Sequence, residues 1–287
     1  MGTSARGVSR IAEYYRESHF DYRLFWALDE SHGLHAGYHD GEGRSHAEAV
    51  EHMNRVLADL VGVDDDDHVL DCGCGVGGSS VWLAENRGAT VTGVDLVPLQ
   101  LREARALAGE RDVSDRVAVA RGDFTDLPVA DESVDVVWGI EAVCHAADEA
   151  AFLREAARVL RPGGRLVVAD GFRTAASMTS AERAAMDRWL DGWAVPNLAS
   201  PASFRDALAD AGFAEVEHRD ATERVLPSSR RLYWTSRLLG PVGRLAGWMG
   251  VRSEVQRANR RAARYQHETL TDGLWQYGIV SAERKEI

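Results

Sequence analysis

From His68 onward, short apolar runs alternate with longer stretches whose apolar residues recur at helical spacing. His68-Val-Leu-Asp-Cys72, Ala89 to Asp95, Val117 to Ala120, Val134 to Ile140 and Arg165 to Asp170 read as strands. Ser79 to Asn86, Pro98 to Glu110 and Glu149 to Leu160 read as the helices between them. Near-continuously apolar strands separated by helices imply a parallel sheet covered on both faces. The expected fold is therefore α/β and doubly wound. A helix at Pro201 to Ala211 and strands at Phe213 to Glu217 and Leu274 to Ala282 continue the pattern.

The flanks read differently. Residues 1–60 are helical in pattern and rich in aromatics and histidine, and are expected to form an N-terminal lid. Residues 61–221 make the α/β core, residues 222–272 a helical cap inserted before the last strand, and residues 273–287 that strand and the C-terminus. Pro227, Gly240 and Pro241 punctuate the insertion.

The chain has 287 residues, 45% of them hydrophobic, and a formal charge of −12, which argues against nucleic acid as a general partner. No apolar run approaches the roughly 20 residues of a spanning helix, and residues 1–20 carry charges where a signal peptide would be apolar, so a cytoplasmic location is expected. Cys72, Cys74 and Cys144 give neither a zinc nor a redox spacing, and no metal site is expected.

Strand one runs into Asp71-Cys-Gly-Cys-Gly-Val-Gly-Gly-Ser-Ser80 and then a helix. Gly73, Gly75 and Gly77 allow the backbone to turn and to approach a ligand at the sheet end where such folds bind cofactors. Gly73, Gly75 and Gly78 also match the dinucleotide fingerprint, so a nicotinamide cofactor stands as an alternative. Asp71 tips the balance. A carboxylate at this place would repel a pyrophosphate and attract an ammonium or sulfonium group. Asp95, ending strand two, would take ribose hydroxyls, and Asp123, next to Phe124, an adenine amino group.

In order along the chain, Asp71-x-Gly-x-Gly-x-Gly77, Gly-Val-Asp95-Leu, Gly-Asp123-Phe, Val-Asp135-x-Val-Trp138 and Arg158-Val-Leu-Arg-Pro-Gly-Gly164 resemble the motifs of the class I S-adenosylmethionine (SAM)-dependent methyltransferases. The resemblance implies a Rossmann-like seven-stranded sheet whose last strand is antiparallel. It implies that Asp71, Gly73, Gly75 and Gly77 line the methionyl side, Asp95 holds the ribose, and Asp123 and Phe124 hold adenine. Leu96, Gln100, Glu141 and Tyr15 are expected as further cofactor contacts. Glu13-Tyr-Tyr15, Leu34-His-Ala-Gly-Tyr38-His-Asp40 and Trp138-Gly-Ile-Glu-Ala-Val-Cys-His145 resemble the branch acting on small lipophilic molecules such as sterols, tocopherols, prenyl diphosphates and antibiotics.

Two residues are candidates for the chemistry. His145 could take a proton from an oxygen acceptor at its ordinary pKa near ~6.5. Glu141 could stabilise a cation formed at a carbon acceptor and remove a proton from it. His35 and His39 are weaker bases. Tyr14, His35, Tyr38, Trp189 and Trp193 are expected to wall the acceptor site, with Arg230 and Arg231 toward an anionic group on it. From Ser228 to Arg264 nine arginines face one acid, interleaved with apolar residues. That segment could cover an anionic acceptor, touch an anionic membrane, or pair with the acidic body or a second subunit of a homo-oligomer. A non-catalytic SAM-binding protein and an NAD-dependent oxidoreductase are the competing functions.

Overall fold

The computed structural model describes residue 17 and residues 28–41, 43–238 and 254–286. Its centre is a seven-stranded sheet of order β3-β2-β1-β4-β5-β7-β6. The strands are β1 (His68–Cys72), β2 (Thr90–Asp95), β3 (Val117–Arg121), β4 (Val134–Ile140), β5 (Leu160–Arg173), β6 (Phe213–Asp220) and β7 (Trp275–Arg284). β1 to β5 pair in parallel, and β7 pairs antiparallel with both β5 and β6. The doubly wound, Rossmann-like sheet with an antiparallel last strand is thus as expected.

Eight helices of ten or more residues are described: α1 (His46–Val61), α2 (Gly78–Arg87), α3 (Pro98–Glu110), α4 (Glu149–Val159), α5 (Ser180–Gly192), α6 (Pro201–Asp210), α7 (Thr222–Leu238) and α8 (Glu254–Thr271). Adjacent strand residues point to opposite faces, so Val69, Val136 and Val167 pack with Met53, Leu57 and Leu83 on one side of the sheet. Leu70, Val137 and Val168 pack with Phe152, Leu153 and Leu208 on the other. Burial on both faces is why these strands are apolar without alternation.

The N-terminal lid needs correction over its last part. α1 starts at a capping box formed by Ser45 and Glu48, ends at the left-handed Gly62, and buries Met53, Leu57 and Ala58 fully. It belongs to the core because its apolar stripe faces the sheet side. Tyr14 and Tyr15 lie outside the described residues. α7 and α8 occupy the insertion before β7, and α7 continues through Pro227, giving up the amide bond that the ring cannot make.

Gly77 shows how the loop after β1 is built. It caps α2 at φ +84°, and a Cβ there would lie 2.8 Å from the Ala104 Cβ and 3.0 Å from the Ala104 Cα on α3. Gly77→Ala therefore combines strain with a clash against backbone and should lower stability by about 2 kcal/mol in urea unfolding. An unchanged midpoint and slope would show that α2 and α3 are not packed this closely.

Candidate active site

The loop after β1 is fastened across to β2. The Gly73 and Cys74 amides both donate to the Val94 carbonyl, at 2.8 and 3.2 Å. The Gly75 amide donates to Asp95 Oδ2 at 3.0 Å, and the Val97 amide to Asp95 Oδ1 at 2.8 Å. This arrangement opens a cleft of about 880 Å³ at the carboxyl ends of the strands. Asp71, Gly73, Gly75, Asp95, Leu96, Gln100, Asp123, Phe124 and Glu141 line it. Phe124 is steadied by an edge contact with Phe152, and Asp123 accepts from the amide and hydroxyl of Thr125.

The electrostatics of the cleft are one-sided. Asp71 is 3% exposed, and burial raises its pKa to about 7 despite a 2.5 Å hydrogen bond from the Ser80 hydroxyl. Burial likewise raises Asp95 to about 6 against its backbone donors. No lysine or arginine lines the cleft among the described residues. Buried carboxyls without a cation are relieved by a cationic ligand, and a pyrophosphate would add to the burden. A Cβ on Gly75 would project between Leu34 and Gln100 into the space such a ligand needs. The residues present fit SAM, whose sulfonium and ammonium groups are cationic.

A second cavity of about 810 Å³ lies beside the first. Trp189, Trp193, Val195, Leu198, Val225, Leu232 and Trp275 form its apolar walls, with Asp170, Ser228, Ser229, Gln266 and Tyr277 as polar points. Leu34, Glu141 and His145 line both spaces and mark where they meet. Glu141 follows β4 directly at φ +48°, in the region that non-glycine residues seldom occupy. Its Oε1 accepts from the Ala36 amide at 2.7 Å and from the Tyr277 hydroxyl at 3.1 Å. Burial, with a smaller push from Asp170, raises its pKa to about 7. His145 is shifted the other way, to about 4, because burial disfavours the imidazolium. Its Nδ1 donates to the Ala194 carbonyl at 3.3 Å, which leaves Nε2 as the lone-pair nitrogen.

Several expected residues sit elsewhere. Gly77 does not line the cleft; it serves the α2–α3 contact. His35 lines the first cleft and not the second cavity, since it lies on the side of the crossing segment 32–40 that faces the glycine loop. Tyr38 lines neither cavity. It packs edge-on against His52 and lies under the Arg224 guanidinium. His39 is occupied with Ser228. Arg230 and Arg231 also miss the second cavity, because α7 turns Val225, Ser228, Ser229 and Leu232 inward and Arg230 to the outside. Trp189 and Trp193 both line the second cavity. Asp170 and Tyr277 were not anticipated. Asp170 ends the apolar run of β5, a position where the strand-end rule could have found it, whereas Tyr277 sits in β7 with no motif around it.

Comparison with known proteins decides the family. A methyltransferase domain family matches residues 70–168. The 27-O-demethylrifamycin SV methyltransferase of Amycolatopsis mediterranei is 34% identical over 203 residues, 70% of this chain and 74% of that protein. The chain belongs to the class I SAM-dependent methyltransferases. The 2-methyl-6-phytyl-1,4-hydroquinone methyltransferase of a Synechocystis strain is 35% identical over 76% of this methyltransferase and 68% of its own length. Methyltransferase GfsG of Streptomyces halstedii is 45% identical, over 43% of this chain and 45% of that protein. A solved structure of the [4+2]-cyclase SpnF, 22% identical, superposes with a TM-score of 0.77 over 96% of this chain and 95% of its own, which is a likeness of fold. The cofactor of this methyltransferase is SAM. No described helix is long and apolar enough to cross a membrane.

With Asp71 as the partner of the ammonium in its ionised form, S-adenosylhomocysteine should bind about tenfold more weakly at pH 6 than at pH 8. Asp71→Asn should weaken binding at pH 8 and remove most of that slope. Calorimetric titration checks both, and an affinity independent of pH would contradict the role of Asp71.

Proposed function

We propose that this methyltransferase acts on an uncharged, lipophilic small molecule, at a hydroxyl or carbon whose proton Glu141 accepts. The carrying observation is Glu141 at the meeting point of the two cavities, fixed through Oε1 and raised to a pKa of about 7. When bound, SAM would supply an electrophilic methyl group, its sulfur keeping the electron pair of the C–S bond. A general base serves best with a pKa near the working pH. Glu141 has that value, and His145 at about 4 does not. His145 stays neutral and lines both cavities beside Glu141. With a hydroxyl acceptor, oxygen forms the new bond as its proton passes to Glu141; with a ring or alkene carbon, the proton leaves that carbon after attack.

The acceptor cavity supports the lipophilic part of the reading. Three tryptophans and six aliphatic side chains wall it, and no lysine or arginine lines it among the described residues. A diphosphate or other anionic group would face Glu141 and Asp170 there without a cation, which argues against the prenyl diphosphate class. The phytyl hydroquinone that the Synechocystis relative acts on by name is an uncharged lipophilic acceptor of the favoured kind.

The basic insertion fits delivery of such a molecule from a lipid surface. Arg230, Trp234, Arg237 and Leu238 form one exposed stripe on α7, the helix whose opposite side lines the cavity. Trp234 and Leu238, 53% and 73% exposed, are the large exposed hydrophobics among the described residues. An apolar pair among arginines suits reversible contact with an anionic bilayer.

With SAM and a prenylated hydroquinone as probe, Glu141→Gln should lower kcat by roughly 10²- to 10⁴-fold and spare S-adenosylhomocysteine affinity. His145→Ala should cost about tenfold or less, and the opposite ranking would transfer the base to His145. The wild-type rate should rise with pH through about 7 as Glu141 ionises. For the surface contact, phosphatidylglycerol vesicles should sediment the protein and phosphatidylcholine vesicles should not, with Arg230→Glu/Arg237→Glu abolishing the difference. Equal behaviour on both lipids would remove the membrane reading.

A further inference from the structure

Tyr277 reaches the acceptor cavity from a stretch of chain without any chemical motif. It lies in β7 opposite Gly171 of β5 and is 3% exposed. Beside it in the cavity wall are Trp275 and Asp170. Its hydroxyl and the Ala36 amide converge on the same oxygen of Glu141. One carboxylate oxygen is thereby fixed from two sides, by the segment crossing over the cofactor cleft and by the last strand of the sheet. Oε2 is left for whatever enters the cavities.

We propose that Tyr277 is a positioning residue for methyl transfer, holding Glu141 by its Oε1 and setting the pH at which that carboxyl becomes a base. This rests on the reading of Glu141 as the proton acceptor. A hydrogen bond donated to a carboxylate favours its ionised form, whereas burial and a neighbouring carboxylate oppose it. Around Glu141 stand Asp170 from β5, Cys144 and His145 from the turn after β4, His35 and Ala36 from the crossing segment, and Tyr277 from β7. Lysine and arginine are missing from both linings among the described residues. Without a cation, neutral donors are what keep Glu141 ionisable near neutral pH. Ala36 donates through its backbone, which leaves Tyr277 as the side chain that tunes the site.

Tyr277 is suited to donate and not to compete for the proton. Burial, followed by the charges of Glu141 and Asp170, pushes its hydroxyl well above the usual phenol range, so it stays protonated. The left-handed backbone of Glu141 adds a reason for such a partner. A non-glycine residue at φ +48° persists where its surroundings hold it, and two convergent donors do so.

Tyr277→Phe removes one oxygen and keeps the ring that packs in the wall. Infrared titration of the carboxyl stretch, with the matching Glu141→Gln protein subtracted, reads Glu141 directly and needs no acceptor. The wild type should show a midpoint near 7, and Tyr277→Phe should raise it by about one pH unit, a tenfold change in proton affinity. Incorporation of a fluorinated tyrosine at position 277, a stronger donor, should move the midpoint down. S-adenosylhomocysteine affinity at pH 8 should be unchanged in the Phe variant, because Tyr277 does not line the cofactor cleft. An unmoved midpoint in both proteins overturns the proposal. A wild-type protein with no Glu141 transition near pH 7 overturns instead the reading of Glu141 as the base.

Discussion

The site depends on a single constraint, the desolvation of carboxyl groups at the ends of adjacent parallel strands. β1, β2, β4 and β5 place Asp71, Asp95, Glu141 and Asp170 along one edge of the sheet, and burial is the leading cause that raises each of them, to about 7, 6, 7 and 6. No lysine or arginine lines the cavities beside them among the described residues. Ordinary carboxyls ionise near pH 4, so between about pH 4 and 7 the folded chain holds protons that the unfolded chain has lost. These groups therefore contribute less to stability as pH rises through that window. A cationic cofactor offsets the cost by pairing with the ionised forms, and affinity and specificity for it share one origin.

The same constraint separates the roles of the two groups at the meeting point. Burial raises a carboxyl and lowers an imidazole, so Glu141 and His145, four residues apart in the chain, end at about 7 and 4. The carboxylate becomes the stronger base of the pair, the reverse of their ordinary order. Sequence gives the identities of such groups, but only the shared walls of the two cavities show that both are desolvated together.

How much could be read from residues alone follows from how local each signal is. Asp71 and Asp95 sit at the carboxyl ends of their strands, and Gly73, Asp123 and Phe124 follow a strand within a few residues, so strand pattern and glycine spacing lead to them. Glu141 is legible for the same reason, as the residue directly after β4. Gly77 belongs to the same glycine series yet serves a helix contact with Ala104, which spacing cannot distinguish from ligand contact. Tyr277 meets Glu141 across 136 positions through an antiparallel pairing, and no local pattern signals that approach. Arg230 and Arg231 attracted attention by charge, but helical phase alone, with Val225, Ser228, Ser229 and Leu232 inward, already argues that Arg230 faces out. Tyr38 and His35 were drawn toward the acceptor by their type, whereas the crossing segment assigns one to packing on α1 and α7 and the other to the cofactor side.

The central claim is that the cofactor lies in the cleft of Asp71 and Asp95 with its sulfur facing Glu141 across the opening into the tryptophan-walled cavity. A crystal structure of the complex with S-adenosylhomocysteine tests it most directly. The account predicts the amino group beside Asp71, the ribose on Asp95, and the sulfur at the place where Leu34, Glu141 and His145 line both cavities. A cofactor whose sulfur points away from Glu141, or one bound outside this cleft, would contradict it.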